Sequence, residues 1–274
     1  MNVLRNSQQA GFSGRTMERG LMPWRRRRAA QCSAVTTKAQ AVPGVRIEVE
    51  KTSWTSRRVF AAVVVAAPKG CVWDALTDYD NLGNFVPSLV ENRCLERTAN
   101  SAVVYQVGAQ DVAMGVKFSA AVSLRCTEFP DGGVPRELMT PPPPGAVSSG
   151  SSSSSSGSSL DAGGWGSAAD VESLYPFPLT SAPGAVPSDI SFELVEGDFQ
   201  VFRGIWRMQQ VGEMETLLSY ALFVKPQAWL PVALIQGRIE NEVVRNLEAL
   251  RQYAEAQYQR QLQLQQEQQL GALH

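Results

Sequence analysis

The stretch from Leu217 to Glu255 reads LLSYALFVKPQAWLPVALIQGRIENEVVRNLEALRQYAE. It begins with an apolar run that is typical of a strand. After Pro231, apolar residues recur at three- and four-residue spacing, and proline suits the first turn of a helix. The pattern therefore predicts a long helix from about Pro231 to about Ala254, which needs a sheet on which to lie. Its apolar stripe consists of Val232, Ile235, Ile239, Val243, Leu247, Leu250 and Ala254.

The residues before this stretch predict the sheet. Residues 115–129, GVKFSAAVSLRCTEF, alternate between apolar and polar, which indicates an antiparallel strand with one solvated face. Two short helices are predicted in PKGCVWDALTDYDNL and LGNFVPSLV. A sheet of this length must curl, and the long helix fills its concave side. We therefore predict an α+β, helix-grip fold in which about six to seven antiparallel strands wrap around the C-terminal helix. The other strands are expected near residues 59–67, 92–97, 102–109, 189–196, 199–211 and 214–225.

Three segments in this order resemble a known family. They are VWDALTDYDNLGNFVPSLVEN, EGDFQVFRGIWRM and the stretch quoted first. They are similar to the polyketide cyclase/dehydrase and lipid-transport group of START-like proteins, and in particular to its coenzyme Q-binding members in plant and algal plastids. The resemblance covers about residues 57–129 and 188–254. It implies an internal cavity for a hydrophobic small molecule such as a prenylquinone, another isoprenoid or a lipid.

In the strand around Phe202, Gly204 leaves a gap between the side chains of Phe202 and Trp206, and another group must fill it. Phe202, Gly204 and Trp206 share one face, and a glycine inside a strand marks a bulge, a bend or a close approach of another group. The close group is either a ligand or a side chain of ordinary core, and the resemblance favours the ligand. Phe85, Val86 and Pro87 would then form a gate at the cavity mouth, or alternatively a packing corner between helix and strand. The predicted cavity residues are Phe85, Val86, Tyr105, Phe118, Phe202, Gly204, Trp206, Leu218, Tyr220, Val232, Ile235 and Ile239.

The sequence offers little conventional catalytic chemistry. The single histidine is His274 and no cysteines form a CxxC pair, which argues against a histidine-based triad and against a metal site. We predict no catalytic residue, no metal and no cofactor. Two functions remain: a carrier or chaperone of a hydrophobic molecule, and a cyclase or dehydratase acting on a polyketide-like or terpenoid substrate. A buried carboxylate beside a tyrosine would favour the enzyme, whereas an apolar cavity with one polar end would favour the carrier.

The expected partner is a hydrophobic small molecule. Peripheral contact with a membrane surface is a further expectation, and no nucleic acid is expected. The sequence does not predict the oligomeric state. A third hypothesis is a scaffold that recruits partners through its low-complexity segments.

Three segments flank or interrupt the predicted ligand-binding domain, which spans residues 45–256. Residues 1–40 are rich in arginine and poor in acids, which predicts an organellar transit peptide for the chloroplast or, alternatively, the mitochondrion. A disordered basic tail and a nuclear signal at residues 25–28 are the other interpretations. Residues 131–187 are rich in Pro, Gly and Ser and are predicted to form a disordered insertion, with VESLYPFPL as a segment that could dock. Residues 257–274 form a glutamine-rich tail.

Overall fold

The computed structural model describes residues 44–111, 117–139, 165, 171–177, 181–227 and 232–272. These residues form an antiparallel sheet and a long C-terminal helix, so the predicted α+β, helix-grip fold is confirmed. The strands are β1 Arg46–Lys51, β2 Arg57–Val65, β3 Leu89–Arg97, β4 Ser101–Asp111, β5 Lys117–Phe129, β6 Ser188–Gly197, β7 Phe199–Gly212 and β8 Glu215–Pro226. The helices are α1 Lys69–Thr77, α2 Arg136–Met139, α3 Val171–Leu174 and α4 Val232–Gly271.

The sheet has one strand more than the upper end of the prediction. Its order is β1-β2-β8-β7-β6-β5-β4-β3, with every neighbouring pair antiparallel. The additional strand is β1, whose charged sequence RIEVEK lacks a clear apolar face. The second predicted short helix is only a 3₁₀ turn, Leu82–Asn84. Pro87 explains this difference, because the residue before a proline disfavours helical backbone angles.

Strand β8 is buried on both faces. Tyr220, Leu222 and Val224 point to the concave side of the sheet and belong to the main core. Ala221 and Phe223 point to the convex side and belong to a second core cluster. Because both faces are covered, the strand is almost continuously apolar and does not alternate with polar residues.

Helix α4 closes the concave side. The described part of the predicted apolar stripe, from Ile235 to Ala254, is present, and Leu247, Leu250 and Ala254 are fully buried in the main core. The helix continues beyond Ala254 to Gly271 and so includes most of the glutamine-rich tail. Glutamine is a good helix former, which is consistent with this extension. No helix in the described ranges combines the length and the apolar character needed to cross a membrane.

The convex side is covered by described parts of the 131–187 segment. Their buried apolar side chains are Met139, Trp165, Val171, Leu174 and Tyr175, which form a cluster with Phe60, Ile205, Ala221 and Phe223 of the sheet. The hydroxyl of Tyr175 donates a hydrogen bond to the carbonyl oxygen of Ile205 at 3.0 Å. The expectation of a disordered segment therefore does not apply to these residues. We call them the convex-side strap.

A buried ion pair lies on the same convex face. Asp189 and Arg207 are directly opposite each other in the register of β6 and β7. The guanidinium of Arg207 donates two hydrogen bonds to the carboxylate of Asp189, at 2.9 and 3.1 Å. The Arg207 side chain is 5% exposed and the Asp189 side chain is 0% exposed. A buried carboxylate needs such pairing, and this geometry supplies it.

Candidate functional site

A cavity of about 240 Å³ lies between the concave face of the sheet and the first half of α4. It extends from Ser88 and Gly108 at the start of β3 and the end of β4 to Leu76 and Tyr79 at the end of α1. Its walls come from strands β3 to β8 and from α4. The cavity is a consequence of the curl of the sheet, because a flat sheet would bring its concave face into direct contact with the helix.

One wall of the cavity is aromatic. The Phe192 ring stacks on Tyr220, with centroids 5.7 Å apart and an interplanar angle of 13°. The ring centroid of Trp206 lies 4.2 Å from that of Tyr220. Phe202 bridges Phe192 and Phe199, with centroid distances of 5.9 and 5.1 Å. These five rings all line the cavity and form a broad apolar surface, which we call the aromatic wall.

The opposite wall carries a polar stripe. Arg238, Glu242 and Asn246 line the cavity from successive turns of α4. Residues four apart on a helix share a face, so these side chains form one row. Ile235 and Ile239 lie beside them. The cavity therefore has an apolar wall on the sheet and a mixed wall on the helix.

Glu242 and Tyr220 interact electrostatically across the cavity. Burial raises the pKa of the Glu242 carboxyl, and the positive charges of Arg245 and Arg238 only partly offset this effect. Burial and the nearby Glu242 both raise the pKa of the Tyr220 hydroxyl, which therefore stays neutral. The cavity thus contains a carboxyl group with a raised pKa in electrostatic interaction with a neutral phenol.

Two amides are oriented by hydrogen bonds inside the protein. The Ser88 hydroxyl and the carboxamide oxygen of Asn246 are 3.0 Å apart, so the amide N–H groups of Asn246 remain as donors. The amide nitrogen of Gln106 donates to the side-chain oxygen of Asn92 at 3.0 Å, so the Gln106 oxygen remains as an acceptor. The cavity therefore presents both kinds of hydrogen-bonding group.

A second polar group lies at the α1 end of the cavity. Burial first, and then the nearby Cys126 and Glu128, raise the pKa of the Tyr79 hydroxyl. Arg97 forms an ion pair with Glu128 at 2.9 Å and lies 4.7 Å from the centroid of the Tyr79 ring. Burial also raises the pKa of the Cys126 thiol to about 12, so the thiol is uncharged at neutral pH. The Tyr79 hydroxyl and the Cys126 thiol therefore line this end of the cavity in their uncharged forms.

The structure brings together half of the residues predicted for the cavity. Those in the lining are Val86, Phe202, Trp206, Tyr220, Ile235 and Ile239. The side chains of Phe118 and Val232 lie outside the described part of the structure. Phe85, Tyr105, Leu218 and Gly204 do not line the cavity. That the lining residues bind a ligand stays a prediction.

Three of the four displaced residues have clear alternative contacts. Phe85 stacks on Tyr253 of α4, with ring centroids 4.0 Å apart. Tyr105 is offset by one residue from its lining neighbours Val104 and Gln106, so it points to the other face of the sheet, where the Arg93 guanidinium lies 5.0 Å from its ring. Leu218 is fully buried in the main core.

The structure shows which group lies next to Gly204. Its register partner on β6 is Phe192. A Cβ atom on Gly204 would lie 2.7 Å from Cε1 of Phe192 and would also meet the carbonyl oxygen of Ala221. The predicted free space is therefore filled by a neighbouring side chain, and the ordinary-core interpretation is correct for Gly204.

The sequence interpretation missed the polar stripe. Glu242 and Asn246 lie three and seven residues after Ile239, which places them beside the apolar stripe of α4. This spacing was the available signal, but charged residues at the edge of an apolar stripe usually lie in solvent. Among the residues that the structure describes, no group of His, Cys, Asp and Glu side chains is arranged to hold a metal ion.

Several solved structures share this architecture. The STAR-related lipid transfer protein from Xanthomonas axonopodis has a TM-score of 0.53 and 12% sequence identity, with 80% of this chain and 98% of that chain covered. Human STARD10 has a TM-score of 0.51 and 12% identity, with 82% and 74% covered. Human StAR-related lipid transfer protein 5 has a TM-score of 0.50 and 8% identity, with 82% and 89% covered. At these identities the likeness shows a common fold.

The sequence comparison identifies the family. No curated protein matches the chain at a significant level. The family profile described as polyketide cyclase / dehydrase and lipid transport matches residues 65–251. This range includes α1, strands β3 to β8 and residues 232–251 of α4. Because this match spans more than half of the chain and agrees with the helix-grip fold, the chain belongs to the polyketide cyclase / dehydrase and lipid transport family.

Proposed function

We propose that the protein binds a hydrophobic, ring-bearing small molecule in the cavity and carries or chaperones it. The observation that supports this proposal is the aromatic wall on the sheet facing the polar stripe on α4. An apolar ring would pack against Phe192, Phe202 and Trp206, while a polar substituent would meet the α4 side. Ligand sites in proteins commonly combine an apolar lining with a few polar groups that orient the ligand.

A prenylquinone is our proposal for the ligand type, supported by the resemblance of the sequence to coenzyme Q-binding proteins of this family. The cavity volume of about 240 Å³ is slightly below the ~300–1,000 Å³ of typical small-molecule pockets. It suits a ring-shaped head group better than a complete long-chain isoprenoid. In this proposal the head group lies inside the cavity and the tail extends outside, where a membrane surface could receive it.

The second candidate is a cyclase or dehydratase. It is favoured by one observation, the Glu242 carboxyl beside the neutral Tyr220 hydroxyl. A carboxyl group whose pKa is raised toward neutrality is suited to general acid–base catalysis, and a neutral phenol can polarise a carbonyl group. The substrate would then be a polyketide-like or terpenoid compound.

Native mass spectrometry of the full-length chain purified from its own host tests the proposal. We expect a co-purifying hydrophobic molecule that organic solvent extracts unchanged. Recovery of no such molecule, together with no binding of ring compounds in solution, would contradict the carrier function. Conversion of an added polyketide-like substrate that is lost in Glu242→Gln would favour the enzyme.

A further inference from the structure

Glu242 differs in its contacts from three other polar residues of the cavity, Ser88, Gln106 and Asn246. Ser88, Gln106 and Asn246 each have a hydrogen-bond partner within the protein. For Glu242, the described residues provide no hydrogen bond or ion pair. Its side chain is half-buried in the cavity wall, and burial is the largest cause of its raised pKa.

The groups around Glu242 determine which kind of ligand group can form a hydrogen bond with its carboxyl group. Arg238 and Arg245 on α4 attract its charge electrostatically, and Tyr220 is the titratable group that faces it from the sheet. A ligand that fills the cavity would displace water from this carboxyl group, and a carboxyl oxygen left without a hydrogen-bond donor would then cost free energy. A molecule lying between the aromatic wall and α4 would be in the position to supply that donor.

We infer that Glu242 accepts a hydrogen bond from a hydroxyl group of the ligand, so that the cavity selects phenol- or hydroquinone-type rings over their ether or carboxylate counterparts. This inference rests on the proposed function and narrows its ligand class. A methyl ether has the same ring but no proton to donate. A carboxylate would bring a second negative charge next to Glu242, which opposes binding.

A matched series of three naphthalenes tests the inference on the full-length protein. The probes are 1-naphthol, 1-methoxynaphthalene and 1-naphthoate, and binding is measured by calorimetry at pH 7. Hydrogen bonds to charged groups are among the stronger ones in proteins. We therefore expect 1-naphthol to bind at least about tenfold more tightly than the ether, with the carboxylate the weakest.

Two variants separate the hydroxyl contact from general packing. Glu242→Met keeps the side-chain length but removes the acceptor, so it should reduce the preference for 1-naphthol over the ether to less than about threefold. Glu248→Gln is the matched control, because Glu248 pairs with Arg251 of α4 and does not line the cavity. It should bind all three probes like the wild type.

The outcomes distinguish the inference from the proposed function. If the wild type binds 1-naphthol and its ether equally, the inference is wrong while the proposed function stands. If Glu242→Met keeps the full preference, the acceptor is another group and the inference is also wrong. If none of the three probes binds the folded wild-type protein, the proposed function itself is contradicted.

Discussion

The ring of Phe192 on β6 covers the backbone of Gly204 on β7, its direct partner in the register of the two strands. The ring can lie there because glycine has no Cβ atom. The same ring stacks on Tyr220 and so forms part of the aromatic wall. The glycine therefore shapes the cavity indirectly, by setting the position of one of its walls.

Gly204→Ala is expected to destabilise the protein. The new Cβ atom would lie 2.7 Å from Phe192 Cε1 and would also press on the Ala221 carbonyl group. Overpacking of this kind costs about 1–3 kcal/mol, measured as a loss in the free energy of unfolding in urea. Adding Phe192→Leu should recover part of the loss, but not all, because the backbone contact remains.

Gly237→Ala is the matched control for this change. Gly237 lies in α4, and no atom lies within 4 Å of where its Cβ would be. Alanine is the better helix former, so this variant should be as stable as the wild type or up to about 1 kcal/mol more stable. If Gly204→Ala and Gly237→Ala melt alike, the proposed packing of Phe192 over Gly204 is wrong.

Ala120→Leu is expected to block the cavity without harming the fold. Ala120 lines the cavity, so the larger side chain extends into open space. The affinity for a ring probe such as 1-naphthol should fall at least about tenfold, which corresponds to about 1.4 kcal/mol. The melting temperature should stay within a few degrees of the wild type.

Ala121→Leu provides the comparison on the neighbouring position. Ala121 is offset by one residue and therefore points to the opposite face of the sheet. It is half-buried and does not line the cavity. Its affinity for the probe should match that of the wild type, and an equal loss of affinity in both variants would contradict the assigned cavity.

Leu174→Ala should show that the convex-side strap is part of the core. Leu174 is 6% exposed and packs in the cluster with Phe60 and Phe223. Truncation of a buried leucine costs about 2–5 kcal/mol in the free energy of unfolding. Leu264→Ala, on an exposed part of α4, should change it by less than about 0.5 kcal/mol. Similar stabilities of the two variants would mean that the strap does not contribute to folding.

Glu242 should make the stability of the protein depend on pH. Its folded-state pKa is raised from 4.5, so its stabilising contribution is complete below the unfolded value and is lost as the pH rises through the folded value. Of the charged or titratable groups near it, Arg238 and Arg245 stay charged, and Tyr220 stays neutral because its own pKa is raised. In the Glu242→Gln variant, residue 242 has no titratable group, so this contribution to the pH dependence of stability is absent.

The difference in melting temperature between Glu242→Gln and the wild type should therefore grow in favour of the variant as the pH rises above 4.5. Thermal melts of both proteins at several pH values measure this difference. Glu248→Gln serves as the reference, since hydrogen bonds from Arg251 lower the pKa of Glu248. A constant difference between Glu242→Gln and the wild type would show that Glu242 has no raised pKa.

Residues 1–45 are expected to direct a fused fluorescent protein to the chloroplast or, alternatively, to the mitochondrion. The reason is the arginine-rich, acid-poor composition of this segment. The predicted transit peptide, residues 1–40, lies outside the described residues. Fluorescence in the nucleus would instead support a nuclear signal at residues 25–28.

The regular part of the fold was predictable because its pattern is repetitive. The stripe of α4 and the alternation in β5 reflect burial of one face, and such periodicity can be read directly from a sequence. Strand β1 could not be predicted in this way, and of the strap only VESLYPFPL was identified as a segment that could dock. β1 is short and charged, while Met139 and Trp165 are isolated apolar residues in a Pro-, Gly- and Ser-rich segment.

The candidate site was predictable only in part. The alternation of side chains along a strand correctly predicted that Trp206 and Tyr220 lie on the concave face, because successive residues of a strand point to opposite faces of the sheet. For Tyr105 the face was assigned incorrectly, since alternation alone does not say which set points inward. The contact between Phe192 and Gly204 depends on the register of two strands, which a single sequence does not reveal.

The core-facing part of helix α4, residues 232–254, has two unequal segments. Near its end, Leu247 and Ala254 are fully buried in the main core. Toward its start, Ile239 and Glu242 border the cavity, so the helix loses fewer protein contacts when this segment opens locally. Local opening therefore costs less free energy there than around Leu247 and Ala254. A molecule that fills the cavity stabilises the closed helix by mass action. The bound molecule thereby becomes part of the core and makes the ordering of α4 dependent on its concentration.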